Sequence, residues 1–233
     1  NYDEILFTPL KYGNISAPLN YDASEKIGAG YGMVKYTYRK WEFIAGVRVE
    51  HTNQGYVLKF PTENEDPEGN QKYTDVLPSF HAKYGVHKNA NLRFSYARSI
   101  NRPSFFEIVP YSIINEDYKE KGNPDLKHTV ADNIDLRYEY FPKSSEQFMV
   151  GMFYKRLQNP IEYGLLNEGQ DTYYKPMNFG DATNLGVEVD IMKYFNWFGI
   201  KANYTYTHST ITTEKRIMDG NDVKSISQTR PLF

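Results

Sequence analysis

The chain has 233 residues and no cysteine. That absence excludes a disulfide-stapled secreted scaffold, thiolate metal sites and thiol catalysis. Tryptophan is nearly missing, with 2 residues, whereas tyrosine (21) and phenylalanine (14) are plentiful. An excess of charge of one sign is missing too: 27 Lys and Arg face 29 Asp and Glu, a formal net charge of −2. Such a balance gives no electrostatic basis for nucleic-acid binding. Long hydrophobic runs are lacking. Hydrophobic residues make up 40% of the chain, mean hydropathy is −0.66, and no stretch approaches the ~18 apolar residues of a spanning helix. No basic–apolar–small order of a signal peptide follows Asn1, so an exported chain is expected to be mature or partial. Neither a Gly-x-Ser-x-Gly elbow nor a His-Glu-x-x-His zinc motif is found. His51, His81, His87, His128 and His208 are scattered. No enzyme activity, cofactor or metal centre is expected.

What is present is an alternation of short and long gaps between segments of period two. Short gaps fall at Arg39-Lys40, His87 to Ala90, Pro142 to Ser145 and Phe195 to Trp197. Long ones run from Thr52 to Lys72, Pro103 to His128, Gln158 to Lys175 and Glu214 to Thr229. Tight turns on one side and long loops on the other are the pattern of an outer-membrane β-barrel. A soluble β-sandwich also alternates, but its loops do not sort by parity into two length classes. The predicted fold is all-β, an antiparallel transmembrane β-barrel segment.

The segments carry two chemically distinct faces. Ile134, Leu136, Tyr138 and Tyr140 share one side of a strand; Asn133, Asp135, Arg137 and Glu139 share the other. Alternation of this kind puts lipid against one face and a wet lumen against the other. Leu185, Val187, Val189 and Ile191 oppose Gly186, Glu188 and Asp190, and Ile200, Ala202, Tyr204 and Tyr206 oppose Lys201, Asn203, Thr205 and Thr207. Further apolar faces are Phe43 to Val49, Phe80 to Val86, Leu92 to Tyr96, Phe148 to Tyr154 and Val34 to Tyr38, giving roughly eight strands. Arg98 falls on the apolar parity of its strand. Snorkelling from the long-loop end and a bulge near Ala97 that turns it inward are alternative solutions.

With eight strands the first runs toward a short turn and the last ends near Thr213 on the long-loop side. Both ends would lie on one side, and an open sheet leaves two unpaired edges in lipid. Strands before Asn1 and after Phe233 are therefore expected, with residues 1–233 forming one partial barrel domain.

Several segments resemble the barrel domain of TonB-dependent outer-membrane receptors. Leu92-Arg93-Phe94-Ser95-Tyr96-Ala97-Arg98-Ser99-Ile100-Asn101-Arg102-Pro103 is similar to the family's strand that closes on an Arg-Pro pair. Gly122-Asn123-Pro124-Asp125-Leu126 is similar to its Gly-Asn-Pro-x-Leu element, and Asn178-Phe179-Gly180 through Gly186-Val187-Glu188 to its Asn-x-Gly…Gly-x-Glu strand. Tyr21 to Tyr31 resembles an opening strand, and Arg230-Pro231-Leu232 the start of a later one. The resemblance implies a barrel of about 22 strands around an internal plug. It also implies a TonB-binding segment ahead of the plug and energised uptake of a scarce ligand: siderophore, cobalamin, glycan or peptide. The implied partners are outer-membrane lipid, the protein's own plug domain, the TonB complex and a surface lipoprotein, with no nucleic acid. Neither plug nor TonB segment is recognisable in these 233 residues. The alternatives are a barrel for adhesion or passive diffusion and a soluble β-rich binding module.

Two residue sets are expected at sites. Phe105, Phe106, Tyr111 and Tyr118 stand in a long loop with Glu116, Asp117 and Lys119, and outer loops on a rigid scaffold usually carry recognition. Arg48, Arg93, Arg137, Glu139, Glu188, Asp190 and Lys201, with Lys83, fall on the polar parity and are expected to face the lumen or plug, their mixed signs favouring a hydrogen-bonded wall over an ion filter. Gly186 is expected to admit close approach of a plug or a neighbouring strand. The acidic groups Glu63, Glu65, Asp66, Glu68 and Asp219, Asn221, Asp222 fit no defined calcium loop and read as solvated.

Overall fold

The computed structural model describes residues 20–59, 61, 66–114, 118–168, 171–219 and 222–231. The expectations at Glu63, Glu65, Glu116, Asp117, Asn221, Leu232 and Phe233 lie outside these. In chain order the elements are β1 (Tyr21–Tyr38), β2 (Trp41–Leu58), β3 (Glu68–His87), β4 (Ala90–Asn101), α1 (Phe105–Ile108), β5 (Ser112–Ile114) and β6 (Lys119–Lys121). They continue with β7 (Thr129–Tyr140), β8 (Gln147–Gln158), β9 (Ile161–Glu168), β10 (Asp171–Asn178), β11 (Ala182–Tyr194), β12 (Gly199–Asp219) and β13 (Asp222–Pro231).

Nine strands form one antiparallel sheet, the wall, in the order β1-β2-β3-β4-β7-β8-β11-β12-β13. The sheet is open, with β1 and β13 at its edges. The four short gaps are the four short connections. At Arg39-Lys40 the chain reverses in two residues with Arg39 at φ 55°, the left-handed backbone that such tight hairpins require.

Pairing is in register across the wall, so the period-two pattern of each strand adds to its neighbours'. One row reads Tyr140, Phe148 and Ile191; the next reads Leu92, Tyr138, Val150 and Val189. The side chains of these two rows are exposed or half-buried, and Phe43 stacks on Trp41 at 5.4 Å between ring centroids. Met152 is 55% exposed and Tyr204 65%. Apolar surface left so open has a place only against hydrocarbon. Trp41, Tyr84, Phe195, Trp197 and Phe198 gather at the short-turn end, where an aromatic girdle meets the membrane interface.

The long gaps are not plain loops. β2 continues to Leu58 and β3 begins at Glu68, so the gap after Thr52 is largely a raised hairpin. The segment from Glu214 to Thr229 pairs along β12 and β13, giving a ninth strand that carries the chain back toward the short-turn side. The sequence reading placed the last strand's end near Thr213. Beyond the membrane both faces of a hairpin are wet, so hydropathy alternation disappears while the backbone ladder persists. β5, β6, β10 and β9 form a second, four-stranded sheet built from the remaining two long gaps, with β10 parallel to β6. The core sits there: Tyr56 and Leu58 of β2 pack with Ile108, Val109 and Leu126, flanked by Tyr21, Phe105 and Ile161.

Candidate functional site

The inner face of the wall is a ladder of paired charges. Arg93 Nε donates to Glu139 at 2.7 Å, Lys35 Nζ lies 2.9 Å from Glu42, and Arg137 lies 3.5 Å from Glu188. Gln147 Nε2 donates to Asp190 at 2.6 Å. Lys83, Arg93 and Arg137 are direct neighbours on three adjacent strands, an arrangement that repels itself unless acids interleave. Glu42, opposite Lys83, and Glu139, opposite Asn91, supply that interleaving. A cleft of about 450 Å³ lies against this wall, lined by Glu42, His81, Lys83, Arg93, Asp135 and Arg137. Register places Arg48, Arg93, Arg137, Glu139, Glu188, Asp190 and Lys201 on one face, with Lys201 exposed at the short-turn end of β12.

Higher on the same face residues 102–114 and 118–128 fold against β2 and β3. Glu50 is buried and accepts from both Arg48 and Arg102. Arg102 Nε also donates to Thr52 Oγ1 at 3.1 Å. Gln54 Nε2 donates to the Pro103 carbonyl at 2.9 Å, and Gln71 Nε2 to the Pro124 carbonyl at 2.6 Å. His128 Nε2 lies 2.8 Å from Asp75 and its ring stacks on Tyr73 at 4.1 Å. Apart from the Arg48–Glu50 pair, each of these contacts joins residues about 50 apart, so no local sequence pattern marks it.

The two family-like loop motifs tie this cap together. Asn123 Nδ2 donates to the Pro176 carbonyl at 2.9 Å. Asn178 accepts from Lys127 N–H at 2.7 Å and donates to the carbonyls of Lys127 (2.8 Å) and Asn159 (2.9 Å). Any Cβ at Gly122 would run into the carbonyl of Val109, so only glycine fits that crossing. At Gly186 the close approach expected is that of a neighbouring strand: a Cβ there would meet the Tyr206 carbonyl and the Phe153 ring.

The aromatic candidates separate into two kinds. Tyr111 is 1% exposed and its hydroxyl donates to Glu120 at 2.9 Å. Burial, reinforced by that carboxylate, pushes its phenol above the usual tyrosine range. Phe105 is half-buried against the cap core. Phe106 is exposed and rests on Tyr111 with centroids 4.6 Å apart. Tyr118 is exposed and meets Tyr174 edge-on at 5.4 Å, while Tyr174 stacks on Tyr163 at 5.0 Å. Beside them Lys119 and Lys121 lie over the Tyr173 ring at 5.8 and 5.0 Å. No group of three or more His, Asp or Glu able to hold a metal ion occurs among the described residues. Asp66 and Glu68 are exposed, and Asp219 and Asp222 are register partners at the tip of the last hairpin.

Of the two routes weighed from the sequence, Arg98 keeps the outward one at the long-loop end. The ladder between β4 and β7 runs without a bulge through Ala97, so Arg98 stays on the outward parity. It is held there by Asp132, its cross-strand partner, through bonds of 2.9 and 3.0 Å, and Tyr96 Oη donates to the same carboxylate at 2.7 Å. The bidentate pair neutralises the guanidinium on that outward face.

Comparison with known proteins bears on what this arrangement belongs to. The family described as "Outer membrane protein beta-barrel family" matches residues 9–230. Among solved structures, a siderophore receptor of Pseudomonas aeruginosa (PirA) superposes with a TM-score of 0.57 at 13% identity, over 91% of this chain and 50% of that one. A ferric enterobactin receptor of the same organism (PfeA) gives 0.54 at 14% identity, over 89% and 41%. The copper transporter OprC gives 0.60 at 16% identity, over 88% and 30%. The chain thus spans half or less of the length of these proteins. No curated protein matches it at the level of sequence.

Proposed function

Because the chain belongs to the outer membrane protein β-barrel family, and so to the outer membrane, we propose that it is part of the wall of a TonB-dependent receptor that takes up a scarce ligand. Family membership removes the soluble binding module from consideration. The observation that carries the proposal is the inner face. Its charges are cross-linked into pairs and roofed by a folded cap, as suits a wall that packs against a polar plug. A wide diffusion pore would instead keep an open aqueous channel along such a face.

In this reading residues 1–233 are one portion of a larger barrel of about 22 strands, and plug and TonB-binding segment lie in other parts of the same protein. Arg48, Arg93, Arg137, Glu139, Glu188, Asp190 and Lys201 contact plug or lumen water. Phe106 and Tyr118 are the loop aromatics free to meet ligand, while Tyr111 supports Phe106 from beneath. The similar structures are named as receptors and transporters of siderophores and copper, which favours a metal-carrying ligand over cobalamin, glycan or peptide. The fold itself does not discriminate among these. No catalytic role is assigned.

The test is uptake by cells that carry or lack the full-length gene. Labelled ferric siderophores should accumulate only with the gene present, and accumulation should stop when the proton-motive force is dissipated. Uptake that persists without that force, in proportion to external concentration, would replace the proposal with passive diffusion.

A further inference from the structure

The chain as a whole is slightly acidic, with a formal net charge of −2, yet its short turns are basic. Arg39 and Lys40 join β1 to β2, Lys88 stands between β3 and β4, and Lys143 between β7 and β8; all four are exposed. The acid of these turns, Glu146, is buried and bound to Lys193 at 2.9 Å, with Lys143 farther off at 3.8 Å. The acids in the rows just above are engaged within the wall as well. Glu42 lies 2.9 Å from Lys35, Glu139 accepts from Arg93 at 2.7 Å and Asp190 from Gln147 at 2.6 Å, and Glu188 lies 3.5 Å from Arg137. Among the described residues no acid pairs with Lys40 or Lys88. Neither lysine stands at an edge of the sheet. The Lys40 carbonyl accepts from Gly85 N–H on β3, and the Asn89 carbonyl beside Lys88 accepts from Phe141 N–H at the end of β7, both at 2.8 Å.

Position separates what these cations face. The Arg39 guanidinium lies over the outward ring of Tyr38, 5.2 Å from its centroid, and so stays on the lipid side. Lys40 takes the inward parity of Glu42, and its Cβ stands 3.9 Å from where a Cβ on Gly85 would point into the lumen. Lys88 and Lys143 occupy turns beyond the girdle of Trp41 and Tyr84, where short turns meet the periplasm. Successive short turns are two strands apart, about 10 Å, so Lys40, Lys88 and Lys143 make a row about 20 Å long. A polyproline II segment presents the same side every three residues, about 9 Å. Carboxylates at every third residue of such a segment match the row, and an ammonium, as a point charge, needs no shaped fork to meet them. We infer that Lys40, Lys88 and Lys143 dock an acidic, extended peptide segment on the periplasmic rim of the barrel. A lipid headgroup would call for cations that lean over the outward face, as Arg39 does. The inference rests on residence in the outer membrane and not on import, so an uptake assay that fails leaves it untouched.

The full-length receptor in phosphatidylcholine nanodiscs would be titrated into a fluorescent peptide of Glu-Pro-Pro repeats, and binding read by anisotropy. A Lys-Pro-Pro peptide of the same length is the control. The unmodified protein should bind the glutamate peptide at least about tenfold more tightly than the lysine peptide, and the difference should shrink as salt is raised. The K40Q/K88Q/K143Q variant should lose that preference, while K72Q, at the long-loop end, should behave as the unmodified protein. Equal binding of both peptides by the unmodified protein, or binding of neither, overturns the inference whether or not the triple variant folds. Full preference in a folded triple variant also overturns it. So does loss of peptide binding when phosphatidylglycerol is added to the nanodiscs, which would make an anionic lipid the occupant.

Discussion

The wall and the cap are both β-structure, yet they are held together by opposite means. In the membrane-spanning band of the wall, apolar side chains point outward and charged ones inward, and the contacts that hold it are ladder bonds and pairs with the adjacent strand. In the cap, a small cluster of Ile108, Val109, Leu126, Tyr56 and Leu58 is buried in the ordinary soluble manner, and polar anchors such as Arg102 and Gln54 fasten it to the wall. The contrast teaches that one chain is solved in two solvents. In hydrocarbon the backbone must satisfy itself within the sheet, and apolar burial between side chains adds little. Above the membrane, water returns, and a core is needed again.

Substitutions can break this comparison one side at a time. The largest effect is expected at Gly122. Gly122→Val drives side-chain atoms into the Val109 carbonyl, an overpacking that costs about 3 kcal/mol or more. Limited proteolysis should open the segment from Pro103 to His128 while the heat-modifiable migration of the barrel is unchanged. Loss of both would show that cap and wall fold as one unit. Next comes a matched pair of leucines. Leu126→Ala, at 1% exposure, should cost the cap about 2–5 kcal/mol, whereas Leu136→Ala on the lipid face should cost less, because lipid fills the space and only the transfer term is lost, not the cavity term. Denaturant titration in lipid vesicles measures both, and equal losses would remove the two-solvent account.

A smaller effect is expected at the rim. Arg98→Ala leaves the Asp132 carboxylate without its cation, held on the outward face by Tyr96, at a cost of about 1–3 kcal/mol. The double variant R98L/D132L should recover most of that loss, since removing both charges spares the desolvation of either. A double-mutant cycle with coupling near zero would contradict the pairing. The smallest effect is the response to pH, and its sign differs between the two regions. Tyr111 keeps its proton in the cap more tightly than in the unfolded chain, because burial and then Glu120 disfavour the phenolate. Its contribution is complete below the ordinary tyrosine value of about 10 and declines above it. In the wall's short turn, Lys193, with help from Lys143, holds the carboxyl of Glu146 below the usual range. That contribution is complete above the ordinary value of about 4.3 and is lost as pH falls. Amide exchange should therefore loosen the cap first on the alkaline side and the turn first on the acid side; the reverse order would refute the assignment.

The wall was legible in the sequence because period two survives every local accident. Eight of its nine strands, their inward and outward residues and all four short turns were marked by alternation alone. β13 was not, since Val223-Lys224-Ser225-Ile226-Ser227 pairs with a stretch outside the membrane, where no lipid enforces a face. The cap was illegible for another reason. Three-residue strands such as β5 and β6 carry no period, and beyond their short ladder with each other they gain a sheet only when β10 arrives from more than fifty residues away. Phe106 and Tyr111 looked alike as loop aromatics; only packing made one a surface and the other a support.

By itself the sequence determined that this chain crosses the outer membrane as antiparallel strands, because side-chain alternation against two solvents is a local property of each strand. The tertiary structure alone decided that two of the long loops close into one anchored cap and that Arg98 is neutralised by Asp132. Each of those depends on register between segments distant in the chain, and register is fixed only when the whole ladder forms.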